Sequence, residues 1–233
     1  MSGILKSPVK LVPLLNVFNM CDWLARQQFF SVVLDELVDV EVEPGWFIQR
    51  IQRKKITVER PFRLWVADSG RMDRPLMDFD QGRMRLYDFH RGFLTHFALP
   101  ERIDDMIDYL TGELPVLSIP LADLIHGKLR DVFETKSRNM RYAGIEYLRG
   151  HPCHHFAYHL DDLNWQLWMR MVGQPSPLRF SVHHVNRPGN PSYQVEIRSW
   201  RVLKQGDLSN SPSPVPSGLH SVEPGQFFGA NCK

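Results

Sequence analysis

The stretch Phe30-Ser31-Val32-Val33-Leu34-Asp35-Glu36-Leu37-Val38-Asp39-Val40-Glu41-Val42-Glu43 decides the fold class. Val32, Leu34, Val38, Val40 and Val42 share one parity, and Ser31, Asp35, Asp39, Glu41 and Glu43 share the other. A period of two is that of a half-buried strand, here with an acidic outer face. Pro44-Gly45 is a turn signal. Trp46 to Val58 continues as a second strand carrying Arg50, Arg53, Lys54 and Lys55. An acidic strand beside a basic one predicts an antiparallel hairpin with cross-strand charge pairs on a solvated face.

Short strands follow at Phe62–Ala67, Leu76–Phe79, Met84–Phe89 and Phe93–Leu99, with turn residues every eight to twelve positions, the rhythm of a meander. Further strands are expected at roughly 139–148, 153–160, 163–171, 178–185 and 192–202. Asp161-Asp162 and the run from Arg187 to Pro191 read as hairpin turns. Helical spacing is confined to two places. Leu14, Phe18, Cys21, Leu24 and Ala25 predict an amphipathic helix over about 14–28. Ile103, Met106, Ile107 and Leu110, then Leu121, Leu124 and Ile125, predict short helices inside the insertion at about 100–135. Such short helices must pack on something to be stable. A sheet of this many strands curls, and helices inserted between its strands cover one side of the curl. That arrangement suits an apolar ligand.

The chain has 233 residues, 43% of them apolar and 23% charged, which excludes global disorder and a disulfide scaffold. Lys plus Arg number 28 and Asp plus Glu 26, so the net charge of +2 makes no electrostatic case for nucleic acid. Cys21, Cys153 and Cys232 have no metal-type spacing. No apolar run approaches the roughly 20 residues needed to span a bilayer. Lys6, Lys10 and the run Leu11–Phe18 resemble a signal peptide, yet Pro13 and Asn16 interrupt the run and no small-x-small site follows. The segment is expected to be the start of a helix, which leaves the cytoplasm open as a location.

The densest candidate for chemistry is His151-Pro152-Cys153-His154-His155-Phe156-Ala157-Tyr158-His159. On a strand, Cys153, His155 and His159 share a face and His154 points away. Cys153 and His155 with a histidine of the 183–184 pair would make a zinc site and a metal-assisted hydrolase. The alternative is that His151 and His154 are exposed near a turn and His155 is a hydrogen-bonded strand residue. No G-x-S-x-G elbow or P-loop occurs. Trp165 and Trp168 fall on opposite faces of one strand, so they form no single stacking platform.

Gly150-His151-Pro152-Cys153-His154-His155-Phe156-Ala157-Tyr158 resembles a G-x-x-C-x-H-x-A-F segment. Asn164-Trp165-Gln166-Leu167-Trp168-Met169 resembles a D-W-Q-x-W-I strand, and Pro175-Ser176-Pro177-Leu178 a P-L-P-R turn. Pro188 to Tyr193 with Trp200, Arg60-Pro61-Phe62-Arg63-Leu64, and Leu117 to Leu124 fit the same pattern. These motifs resemble a family of predicted periplasmic proteins defined as a domain of unknown function, similar to the LolA/LolB/LppX lipoprotein-carrier superfamily. The likeness covers roughly 14–203. Asn164 stands in place of the usual aspartate, and His159 where arginine is common. The resemblance implies an open half-barrel with a helical lid, a place in the periplasm or envelope, and acyl chains on the concave face.

The expected fold is thus α+β, mainly β: a strongly curved antiparallel sheet, an open half-barrel, with an N-terminal helix and a short helical lid. Residues 1–13 form an extension, 14–203 one domain, and 204–233 a Pro/Ser-rich tail. The expected function is non-enzymatic binding of a lipid, an acylated protein or another apolar ligand, with no cofactor and no metal. The expected lining is Val38, Val40, Trp165, Leu167, Phe180, Val182 and Val195. A further reading is an interaction module that offers an open sheet edge to a partner.

Overall fold

The computed structural model describes residues 11–68, 75–113, 121–136, 140–159, 163–186, 189, 191–205 and 216–228. The expected turn at Asp161-Asp162, most of the Arg187–Pro191 turn and most of the Ser/Pro tract fall outside them. The described residues are mainly β, 55% strand, and their strands form one sheet. The strands are β1 (Phe29–Glu43), β2 (Trp46–Glu59), β3 (Arg63–Asp68), β4 (Pro75–Asp80), β5 (Arg83–Asp88), β6 (Phe93–Ala98), β7 (Met140–Leu148), β8 (His151–His159), β9 (Leu163–Arg170), β10 (Pro177–His184), β11 (Ser192–Val202) and β12 (His220–Ser221). Their order is β12-β6-β5-β4-β3-β2-β1-β11-β10-β9-β8-β7. The helices are α1 (Leu11–Arg26), α2 (Ile103–Glu113), α3 (Ala122–Ile125), α4 (Leu129–Lys136) and α5 (Pro224–Phe228). Two compact units divide the chain. The first is built from residues up to 26, 35–51 and 127–198; the second from 27–34, 52–126 and 199 onward.

In the second unit, alternation sets the two faces of the meander. Leu64, Phe79, Met84 and Phe97 are cross-strand partners in one row, and Val66, Met77, Leu86 and Thr95 in the next. The opposite face carries charge: Arg63 bonds Asp80 at 3.0 Å and Arg85 bonds Asp78 at 2.8 Å. Gly82 holds the β4–β5 turn at φ +83°, and a Cβ there would lie 2.8 Å from the Leu99 carbonyl oxygen. Helix α2 buries Ile103, Met106, Ile107 and Leu110, one apolar stripe at helical spacing. Residues 216–228 add β12, parallel to β6, and α5, whose Phe228 meets Phe97 at a 5.9 Å centroid distance.

In the first unit, α1 is described over Leu11–Arg26 and so includes residues ahead of the expected position, with Pro13 inside it. Val17, Met20, Cys21 and Leu24 are its buried stripe. Burial pushes the Cys21 thiol up to about 12, with the neighbouring Asp22 adding to the shift. Asp22 pairs with Arg130 of α4 at 2.6 Å, and Arg130 also bonds Glu134 at 2.7 Å and lies over the Phe18 ring. The two helices are clasped by these contacts.

Candidate functional site

The antiparallel register of β7 to β11 assembles two apolar rows on one face of the first unit. The inner row runs Tyr142, Phe156, Leu167, Phe180, Val195. The outer row runs Met140, Tyr158, Trp165, Val182, Tyr193. Glu36 accepts the Tyr193 hydroxyl at 3.0 Å, whereas Asp39 bonds Ser192 on the opposite face. Val38 and Val40 share the parity of Glu36 and therefore the face of Tyr193. All seven residues expected to line a ligand site thus lie on one face of one unit. They differ in exposure. Leu167, Phe180 and Val195 are fully buried, at 0, 2 and 0%. Val38, Val40, Trp165 and Val182 are half-buried.

Helices α1 and α4 stand against this face. Phe133 of α4 meets Trp165 with ring centroids 5.4 Å apart. From there aromatic rings continue through Phe180, 6.2 Å from Trp165, to Tyr193, 5.6 Å further on. Asn16 of α1 reaches the Nε2 atom of His154 at 3.2 Å, and the Tyr142 hydroxyl reaches Nδ1 at 3.0 Å. His154 was expected to be exposed near a turn. It is buried because β8 begins at His151, so His154 falls mid-strand, on the apolar face beneath α1. Burial lowers its pKa. Tyr158 lies in the outer row between Met140 and Trp165. It is 7% exposed, its hydroxyl has no hydrogen-bond partner among the described residues, and burial raises its pKa.

The other face is polar and internally paired. Arg198 bonds Asp35 and sits 3.3 Å from Glu196, which also receives Arg179. Arg179 lies over the Trp168 ring at 5.4 Å. His155 uses both ring nitrogens, on Glu146 at 2.8 Å and Gln166 at 2.9 Å. Cys153 is buried, its thiol donates to the Glu146 carbonyl, and burial raises its pKa. Cys153, His155 and His159 do share this face, as their parity predicts. The register separates the remaining ligand candidates. His155 is in the row of Trp168 and Arg179, whereas His183 is in the row of Asn164 and His159. Four residues and two strand spacings put His183 on the order of 15 Å from His155, and His184 takes the opposite face. Among the described residues, no group of three or more His, Cys, Asp or Glu side chains is placed to hold a metal ion. In the second unit a polar cleft of about 250 Å³ is lined by Asp78, Asp80, Gln81, Arg83 and Arg85.

Reasoning from sequence missed Glu36, His154 and Tyr158. The first two carry a signal: each is a polar residue at an apolar-parity position, the mark of a buried polar contact.

The described strands form one mainly antiparallel sheet, with α1 and α4 against the apolar face of the first unit. The chain belongs to the family described as predicted periplasmic protein (DUF2092), whose model matches residues 16–210. Solved structures with a similar fold include the lipoprotein LppX of Mycobacterium tuberculosis, at 12% identity and TM-score 0.46, covering 88% of this chain and 98% of that one. LprF from Mycobacterium bovis matches at 8% identity and TM-score 0.49, over 92% of this chain and 100% of its own. A LolA-superfamily protein from Nitrosomonas europaea matches at 8% identity and TM-score 0.39, over 86% and 96%. No curated protein matches the sequence. Among the described residues, no helix is long and apolar enough to cross a membrane.

Proposed function

We propose that this protein is a non-enzymatic binder or carrier of an apolar ligand in the cell envelope, a lipid or the acyl chain of a lipoprotein. The observation that carries this reading is the contrast between the two rows. Leu167, Phe180 and Val195 are a filled floor, while Trp165 and Val182, with Val38 and Val40 beside them, keep part of their apolar surface open. The buried Tyr158 hydroxyl, beside Trp165 in the outer row, supplies one polar group for an ester or carboxyl oxygen. Covering about 200 Å² of apolar surface stabilises a complex by about 5 kcal/mol before association costs. A few convergent polar groups on an apolar lining fix a ligand's orientation. The family's description as predicted periplasmic supports the location.

The test is titration with a fatty acid brominated along its chain, read by tryptophan fluorescence. Bromine quenches an indole in contact with it. Saturable quenching is expected, and Trp165→Phe removes most of it while leaving the fold intact. Quenching that is unsaturable, or that survives Trp165→Phe in full, contradicts this site.

A further inference from the structure

We propose that β7 is a dimerisation edge, at which a second copy of this chain pairs its own β7 antiparallel to the first. This goes beyond ligand carriage and is independent of it. Strand β7 ends the sheet and pairs only with β8 among the described residues. Two of its apolar side chains are exposed, Ile145 at 52% and Tyr147 at 73%, while Met140 is buried; Met171 and Val172 in the nearby β9–β10 turn are 45 and 67% exposed. An edge of that kind is a template for another strand.

The backbone geometry says which groups are offered. Leu148 pairs with His151 across a two-residue turn whose residues, Arg149 and Gly150, have φ of 52° and 77°. That is the signature of a type I′ hairpin, which makes Leu148 and His151 a hydrogen-bonded pair. Pairs then alternate along the ladder. Tyr147 opposite Pro152 and Ile145 opposite His154 are non-hydrogen-bonded pairs, so their amides and carbonyls point off the edge. Pro152 fits, since it lacks an N–H and its carbonyl accepts from Met171 on the β9 side. Past the bulge between Tyr142 and Gly144, the partners Phe156 and Tyr158 keep the parity of Pro152 and His154. Tyr142 and Met140 therefore point outward as well.

The outward set, Met140, Tyr142, Ile145 and Tyr147, is symmetric about the midpoint of Ala143 and Gly144. Across a two-fold axis there, the backbone of Met140 pairs with that of Tyr147 of the second copy, and the Tyr142 and Ile145 side chains meet. On the opposite face Arg141 meets Glu146. Each pair is on a matching face, because Arg141 and Glu146 oppose Ala157 and Cys153, which share a parity. The strand is complementary to itself in hydrogen bonding, apolar contact and charge, which is why a second copy is the occupant.

Sedimentation of the full chain over a wide concentration range tests this. The expected result is a reversible monomer–dimer equilibrium that Ile145→Lys and Tyr147→Lys abolish without changing the circular dichroism or thermal midpoint. Arg141→Glu is expected to weaken the dimer by about tenfold or more, since it sets two acidic pairs opposite each other. Adding Glu146→Arg to Arg141→Glu restores it. Arg141 and Glu146 of one copy are five residues apart on one strand, so rescue requires pairing between copies. A chain that is monomeric throughout overturns the proposal. So does a dimer indifferent to Ile145→Lys, or a folded double variant no tighter than Arg141→Glu alone. The lysine variants keep the test intact if Glu146→Arg does not fold.

Discussion

The imidazole of His155 lies flat against the indole of Trp168, with centroids 4.2 Å apart and planes 11° apart. Glu146 locks this stack, receiving the Trp168 indole N–H at 2.7 Å and His155 Nδ1 at 2.8 Å. Arg179 covers the indole from the neighbouring strand. Four strands, β7 to β10, are thereby tied across the polar face.

The Glu146 carboxyl is held below the usual carboxylate range, chiefly by the Trp168 hydrogen bond and then by His155. A carboxylate whose pKa is lower in the folded state adds stability above its unfolded pKa, and that stability is lost as pH falls through the folded one. Glu146→Gln is expected to cost about 1 kcal/mol at neutral pH, a small figure because the side chain is half exposed and screened. The difference from wild type should shrink below about pH 4. Urea denaturation at several pH values checks this; a difference that does not change with pH contradicts it.

His154 acts in the same direction at higher pH. Its folded pKa is depressed by burial, so the unfolded chain takes up the proton first. Stability is full above the unfolded value, about 6.5, and declines as pH falls from there to the depressed folded value. His154→Gln keeps hydrogen-bonding groups near Asn16 and Tyr142 but cannot titrate. Its stability curve is expected to be flatter than wild type over that interval, as thermal unfolding would show.

The two rows should separate under mutation. Leu167→Ala empties a fully buried site and is expected to cost about 3 kcal/mol. Val182→Ala, half exposed in the outer row, should cost about 1 kcal/mol or less and weaken fatty-acid binding more than it weakens the fold. Chemical denaturation and the quenching titration read the two effects. Equal stability losses would erase the distinction between floor and contact surface.

Gly82→Ala should destabilise by about 2 kcal/mol, because alanine resists a positive φ and its Cβ would press on a backbone carbonyl. Gly45→Ala, at φ +78° with open space around it, carries the conformational cost alone. Thermal midpoints for the pair order these costs.

Local pattern made the framework legible. The β1–β2 hairpin follows from alternation and Pro44-Gly45, and the α2 stripe from its spacing at Ile103, Met106, Ile107 and Leu110. Parity also chose the face: Val38, Val40, Trp165, Leu167, Phe180, Val182 and Val195 all share one. Parity does not fix depth. Whether Leu167 or Val182 is covered depends on register and on where α1 and α4 stop. The Asn16–His154 contact joins positions 138 apart, which no local window reaches. The Phe227–Phe228 pair looked like part of a tail, yet it forms α5 because Phe97 of β6 gives Phe228 an aromatic neighbour.

The most direct test is native mass spectrometry of gently purified protein, followed by organic extraction and lipid analysis. The account predicts a bound species of lipid mass that extracts into organic solvent, and that Val182→Arg reduces by placing a charge in the outer row. A chain that shows only its bare mass, and stays bare after incubation with phospholipid and with an acylated peptide, would contradict the claim that this apolar face carries a ligand.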